Sequence, residues 1–203
     1  MAFTVSSSLI SKLKNIKERS QEIEEDLCNF CGKTISPDHR HLLDINTGKF
    51  KCACEVCTII QSVHGYKLIP DHYNYLKDFI MPEELWSEFM IPVNMAFFVF
   101  NSAQNGIVTY YPAAAGATES KLKMEAWKKL EQLNPVIKKV SKDVEALLLN
   151  RLGDAGEYFI VPIDCCYKLI GTLRSHWHGI HGGREVDEAI ANFFYQLKVK
   201  VNA

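Results

Sequence analysis

Apolar residues recur at helical spacing near both ends of the 203-residue chain. Over residues 7–27 they recur at steps of three and four, with Ser20 in the one polar gap, which predicts an amphipathic helix. A similar stripe predicts a second amphipathic helix over residues 184–199. We expect the first helix to pack on its own domain, with a docking or dimerising role as the alternative.

Between these helices, short apolar runs are separated by turns that contain proline, glycine and asparagine. The runs predict a hairpin over 41–52, strands at 66–69, 93–101, 107–111, 158–163 and 167–173, helices at 82–89, 120–133 and 141–152, and a loop at 112–120. This order favours an α+β fold with mostly antiparallel strands and helices on one face. We expect three parts: an N-terminal helix (1–27), a cysteine-rich metal-binding module (28–64) and an α+β domain (65–203).

Five of the chain's seven cysteines lie close together around the predicted hairpin. Cys28 and Cys31 form one C-x2-C knuckle before it, and Cys54 and Cys57 form another after it. Each knuckle presents two thiolates to one ion, so this spacing predicts a tetrahedral metal site. Gly32 follows the first knuckle, where we expect a positive φ. A hairpin between two knuckles is typical of a zinc-ribbon or treble-clef-like module.

Cys52, His39 and His41 are further candidate ligands in the same stretch. Cys52 could replace Cys54 or lie beside the metal, and either histidine could supply a nitrogen ligand. Four thiolates leave no open position for water, which is typical of a structural zinc ion, and one ion is expected. Iron is the alternative, because a C-x2-C-Gly knuckle suits rubredoxin-type iron and C-x-C-x2-C could hold an iron–sulfur cluster. Thr58 follows the second knuckle in place of a glycine and weakens the rubredoxin comparison.

A second group of polar residues lies nearer the C-terminus. It comprises Asp164, Cys165, Cys166, His176, His178 and His181. These residues suggest a second metal site or a nucleophilic pair, and a hydrolase working from Asp164, Cys166 and His176 is the catalytic hypothesis. The favoured interpretation is a histidine-rich loop before a helix, with a buried free cysteine in a strand, because spacing indicates no third partner.

Charge and hydropathy narrow the possible partners and location. The formal net charge is −1, and a nucleic-acid partner is not expected because there is no basic excess. The longest nearly apolar run, from Ile91 to Phe100, is too short to span a bilayer. The N-terminus has no secretory pattern, and clustered cysteines of odd number favour metal chemistry in a reducing compartment. We therefore expect a cytoplasmic protein.

Seven segments resemble an uncharacterised bacterial protein family. They are C28-x-x-C-G32, PDHRHLLD at 37–44, C52-A-C-x-x-C57, AGATES at 115–120, DVEALL at 143–148, VPID at 161–164 and GGREV at 182–186. The resemblance covers about residues 27–198, so only the N-terminal helix lies outside it. Members are often encoded beside uptake nickel–iron hydrogenase genes, which implies an accessory, maturation or assembly role. The family has no established activity to carry over.

The sequence and the resemblance together lead to one functional hypothesis. We expect a non-catalytic, zinc-binding accessory or assembly protein that docks on a protein partner, with a hydrogenase or its maturation machinery as the implied partner. An iron-binding redox protein or a metal-transfer protein using the same cysteines is the alternative. The N-terminal helix is a candidate surface for homo-oligomerisation.

Overall fold

The structure is a computed structural model that describes residues 26–62, 64–153, 156–177 and 183–202. Within these residues, strands form one three-stranded sheet and one six-stranded sheet, and every pairing between strands is antiparallel. Helices pack against the larger sheet. The predicted α+β class is confirmed.

The smaller sheet lies in the cysteine-rich part of the chain. Its elements are β1 (Arg40–Asp44), β2 (Phe50–Ala53), helix α1 (Glu55–Gln61) and β3 (Tyr66–Leu68). β1 is the central strand and pairs with both others, so the predicted hairpin is confirmed. Gly48 in the hairpin turn has φ +68°, which glycine adopts without steric cost.

The larger sheet has the strand order β4-β9-β8-β5-β6-β7. Its strands are β4 (Asn74–Tyr75), β5 (Met95–Asn101), β6 (Gly106–Ala113), β7 (Gly116–Ser120), β8 (Glu145–Asn150) and β9 (Glu157–Pro162). The helices are α2 (Glu83–Glu88), α3 (Met124–Leu133), α4 (Ile163–His176) and α5 (Arg184–Val201), and a 3₁₀ turn spans Pro135–Lys139. The structure confirms six of the predicted elements, namely the strands at 66–69, 93–101, 107–111 and 158–163 and the helices at 82–89 and 184–199.

Helices cover both faces of the larger sheet, and the prediction that they lie on one face is wrong. Alternate residues of β5 enter two separate cores. Phe97 packs in the core that α4 and α5 cover, whereas Phe98 packs in the core that α2 and α3 cover. The sheet is therefore the middle of three layers.

The helix predicted over residues 141–152 is wrong, because residues 145–150 form the strand β8. All six residues of β8 are buried. The strand is paired on both edges and covered on both faces. Its central residues 146–149 are a continuous apolar run, which periodicity alone does not distinguish from a buried helix.

The loop predicted over 112–120 is largely strand. β6 continues to Ala113, which pairs with Gly116 at the start of β7. Gly116 has φ +122°, a conformation that the alanines around it rarely adopt. Because β7 ends at Ser120, helix α3 begins at Met124 and not at residue 120.

The strand predicted over 167–173 is wrong, because these residues lie within the helix α4. α4 buries Cys166, Leu169, Ile170 and Leu173, which recur at steps of three and four. Pro162 precedes the helix and ends β9.

Most of the N-terminal helix predicted over 7–27, namely the part up to residue 25, lies outside the described residues. Leu27 forms an antiparallel bridge with Thr34, so the chain is extended at Leu27 and not helical. Among the described helices, none has the length and apolarity that crossing a bilayer requires.

Asp143 ties the smaller sheet to the larger one. Its Oδ2 accepts a hydrogen bond from Lys67 Nζ on β3 (2.5 Å), and its Oδ1 accepts one from the Ser102 amide (2.7 Å). Burial opposes ionisation of Asp143, but these bonds from Lys67 and Ser102 outweigh it and lower its pKa from 3.8. Its charged form therefore stabilises the fold.

We expect Asp143→Asn to lower the free energy of unfolding by about 1–2 kcal/mol at neutral pH, because Asn cannot form the ion pair and Lys67 is partly exposed. A lowered folded-state pKa gives a contribution that is complete above the unfolded-state pKa of 3.8 and is lost as pH falls through the folded-state value. Urea unfolding at pH 7 and at pH 3 should therefore show that the difference in free energy of unfolding between wild type and Asp143→Asn is smaller at pH 3. An equal difference at both pH values would contradict this role.

Candidate metal centre

The first cysteine pair lies in a tight turn closed by backbone hydrogen bonds. The Cys28 amide donates to the Lys33 carbonyl (2.8 Å), and the Gly32 amide donates to the Cys28 carbonyl (2.9 Å). Gly32 has φ +72°, as the sequence predicts. The turn places Cys28 in the interior and leaves Cys31 exposed.

The second cysteine pair lies at the start of α1. Cys54 is the residue before the helix, and Cys57 is buried in its first turn. The Thr58 amide donates to the Cys54 carbonyl (2.9 Å), so the helical turn itself holds the two thiols on one side. The module thus consists of a knuckle, then a hairpin, then a helix whose start carries the second cysteine pair. Of the two predicted alternatives, zinc ribbon and treble clef, this order matches the treble clef.

The sulfur atoms of Cys28, Cys31, Cys54 and Cys57, here called the four-cysteine cluster, lie within 4.8 Å of one another. Zn–S bonds of about 2.3 Å in a tetrahedron require sulfur atoms about 3.8 Å apart. Cys31 Sγ and Cys54 Sγ are 3.8 Å apart, which matches that spacing. All seven cysteines are free thiols. The four-cysteine cluster could therefore bind one metal ion.

The electrostatics of the four-cysteine cluster favour a bound cation. Burial of Cys28 opposes its ionisation, but backbone N–H groups of Cys54, Phe30 and Cys31 donate to the sulfur and lower its pKa to about 6. Burial raises the pKa of Cys57 to about 12, aided by hydrogen bonds to neighbouring sulfurs and by the charge of Cys28. The negative charge of one thiolate thus opposes ionisation of the next thiol. A bound metal ion relieves this repulsion because it stabilises every thiolate.

Cys52, His39 and His41 form a separate set, here called the second donor group. Cys52 Sγ and one ring nitrogen of each histidine lie within 4.8 Å of one another. Cys52 lies opposite His41 across the hairpin, and its amide donates to Asn29 Oδ1 (2.7 Å). Burial raises the pKa of Cys52, with further contributions from the charges of Asp26 and Cys28. The fifth cysteine of the stretch is thus grouped with the histidines.

Each histidine of the second donor group is oriented through its Nδ1 atom. His39 Nδ1 is 2.8 Å from the Ser36 carbonyl oxygen, and His41 Nδ1 is 2.7 Å from Asp164 Oδ2. Asp164 lies in the first turn of α4 and is 123 positions from His41 in the chain, so no local pattern in the sequence could reveal their contact.

Among the described residues of the C-terminal polar group, Asp164, Cys165 and His176 border one cavity, but the three residues of the hydrolase hypothesis do not come together. Asp164 and His176 lie at opposite ends of α4, which separates them by about 18 Å at 1.5 Å per residue. Cys166 is fully buried, and burial raises its pKa well above 9.0. His176 Nδ1 donates to the Thr172 carbonyl of its own helix (2.8 Å). His178 and His181 lie outside the described residues. Cys166 and His176, the nucleophile and base of the hydrolase hypothesis, do not contact each other.

A cavity of about 830 Å³, here called the central cavity, borders the second donor group. His39 and His41 line one side of it, and residues of α4 and α5 line the other. Arg40 and Lys168 contribute positive charge to the wall, and Asp164 contributes negative charge. The wall of the central cavity therefore carries charges of both signs.

Comparison with known proteins places the chain in a family. Residues 27–201 match the family described as "Family of unknown function (DUF5947)". No curated protein and no solved structure matches the chain. Because the match covers most of the 203 residues, the chain belongs to this family of unknown function.

Proposed function

We propose that the protein is a non-catalytic, zinc-binding accessory or assembly protein, in which the four-cysteine cluster binds one structural zinc ion. The spacing of the four sulfur atoms carries this proposal, since it matches a closed tetrahedral thiolate site. A closed site has no open position for substrate or water, so the zinc ion serves to hold the surrounding surface in shape.

Zinc is preferred to iron because the two cysteine pairs are unlike. Rubredoxin-type iron sites use two similar knuckles, each followed by glycine. Here only Cys31 is followed by a glycine with positive φ, whereas Cys57 lies in a helix and is followed by Thr58. An iron-binding redox or metal-transfer protein is the second candidate, and the four-thiolate donor set supports it.

A protein partner is supported by the apolar surface of α1 beside the four-cysteine cluster. Val56, Ile59 and Ile60 are 65%, 74% and 50% exposed, and all three lie on α1, which begins directly after Cys54. Neighbouring exposed apolar residues on one short helix are typical of a docking surface. The partner that we propose is a hydrogenase or its maturation machinery, because of the family resemblance, and the proposed location is the cytoplasm.

We expect Ile59→Asp to weaken binding of the protein to its hydrogenase or maturation partner at least tenfold, because a charge in an apolar contact is poorly solvated. The measurement is co-purification of the two proteins after co-expression, followed by titration of the purified pair. Ile80→Asp is the matched control, because Ile80 is 50% exposed and lies outside α1. Equal affinities of the two variants would overturn the docking surface, and failure of every hydrogenase component to bind would overturn the proposed partner.

A further inference from the structure

His39 has a buried ring nitrogen without a hydrogen-bond partner. The side chain is 8% exposed, and Nε2 makes no hydrogen bond with any part of the chain that the structure describes. Leaving a buried polar atom unpaired costs about 1–3 kcal/mol. In a native protein such an atom calls for a partner such as a bound water or ion, and histidine is the commonest metal-binding side chain.

Both histidines of the second donor group present Nε2 in the form that binds metal. The Ser36 carbonyl only accepts hydrogen bonds, so the His39 proton resides on Nδ1 and the lone pair on Nε2. The Asp164 carboxylate fixes the same tautomer in His41. A carboxylate or carbonyl on the outer nitrogen is the usual support of a metal-binding histidine, since it fixes the ring and raises its basicity.

The third donor of this group is a thiol. Cys52 Sγ lies within 4.8 Å of the histidine nitrogens, whereas Cys52 does not belong to the four-cysteine cluster. Two imidazoles and one softer thiolate are donors that suit zinc and neighbouring divalent ions such as cobalt and nickel. Three protein ligands leave one position of a tetrahedral ion for water or another small ligand.

We propose that His39, His41 and Cys52 form a second zinc site, distinct from the four-cysteine cluster, with an exchangeable fourth position that faces the central cavity. His39 and His41 border this cavity and Cys52 does not, so a small ligand reaches the ion from the side of the histidines. Asp164 is the positioning residue of the site, because it orients His41 from α4. The site goes beyond the structural role that we propose for the four-cysteine cluster.

The test is the zinc content of the full-length protein after dialysis against zinc-free buffer. Wild type is expected to retain two zinc ions per chain, and His41→Ala and Cys52→Ala are each expected to retain one. His64→Ala is the matched control with two ions, because His64 is exposed and lies outside both donor sets. One ion in wild type, or two ions in all of these variants, would overturn the second site. If wild type holds a single ion and Cys31→Ser removes it, the second site is overturned but the four-cysteine proposal remains intact.

Asp164→Asn extends the test if an alanine variant fails to fold, which thermal unfolding would reveal. The amide keeps the size of the side chain but holds the His41 ring less firmly in the required tautomer. We expect a 10- to 100-fold larger dissociation constant for the second zinc ion, measured by competition with a chromophoric chelator, and no change for the first. Unchanged affinity for both ions would overturn the role of Asp164 and the site that it supports.

Cobalt(II) in place of zinc tests the exchangeable position. Azide is expected to shift the d–d absorption bands of the cobalt-loaded wild-type protein, because an ion with three protein ligands accepts an external anion. The same addition should leave the bands of cobalt-loaded His41→Ala unchanged, since its remaining ion is closed by four thiolates. Bands of the wild-type protein that azide does not move would overturn the open position.

Discussion

Replacing Cys57 with alanine is expected to remove the metal ion of the four-cysteine cluster and to unfold the chain around it, residues 26–39 and 52–62. Structural zinc contributes about 10–16 kcal/mol of apparent binding free energy in zinc-finger peptides at pH 7. Within the described residues its apolar core is small and consists of Cys28, Leu42, Ala53 and Cys57 with a few half-buried neighbours. The two cysteines in that core are themselves proposed ligands, so loss of the ion removes the main interaction that holds this core together.

The measurements are elemental analysis and amide hydrogen exchange. We expect wild type to hold zinc without visible absorption bands and Cys57→Ala to hold at least one ion fewer per chain. Exchange should become fast in residues 26–39 and 52–62, while β5 and β8 remain protected because their core is separate. Cys165→Ala is the control, because it removes a buried thiol that lies in α4, outside both donor sets.

Two outcomes would contradict this prediction. Iron with charge-transfer bands in the wild-type protein would favour the redox alternative. Unchanged protection in Cys57→Ala would show that the fold around the four-cysteine cluster does not depend on the metal.

The sequence predicted those parts of the fold whose signals are local. A glycine in a turn and strands on either side of it determined the hairpin of β1 and β2. The spacing of the two cysteine pairs determined the four-cysteine cluster, because a chain that brings two knuckles together has few other arrangements. The amphipathic stripe of α5 likewise depends only on residues in the helix itself.

The parts that sequence reasoning missed depend on the rest of the fold. β8 has no alternation because layers on both faces bury it, and its leucines favour helix by intrinsic propensity. Cys166 and Leu169 have helical spacing in α4, but the short apolar run around them also matched a strand. The grouping of Cys52 with His39 and His41 depends on strand register and on Asp164 from a distant helix, which spacing alone does not encode.

Replacing Leu147, Leu148 or Leu149 individually with alanine is expected to lower the free energy of unfolding by about 2–5 kcal/mol in each case. All three side chains are at most 1% exposed, and they alternate between the two cores of the larger sheet. Each substitution removes most of a buried side chain and leaves a cavity in a layer that β5 and β9 hold in place. Urea unfolding followed by circular dichroism measures the loss.

Leu152→Ala is the matched control, because Leu152 follows β8 and its side chain is 42% exposed. We expect this control to change the free energy of unfolding by less than about 0.5 kcal/mol.

Large losses of stability at three consecutive positions also distinguish a central strand from an amphipathic helix. On a surface helix, three consecutive residues span about 200° of the circumference, so at least one of them faces solvent and its truncation costs little. A loss below about 0.5 kcal/mol at any of the three leucines would therefore contradict the central position of β8.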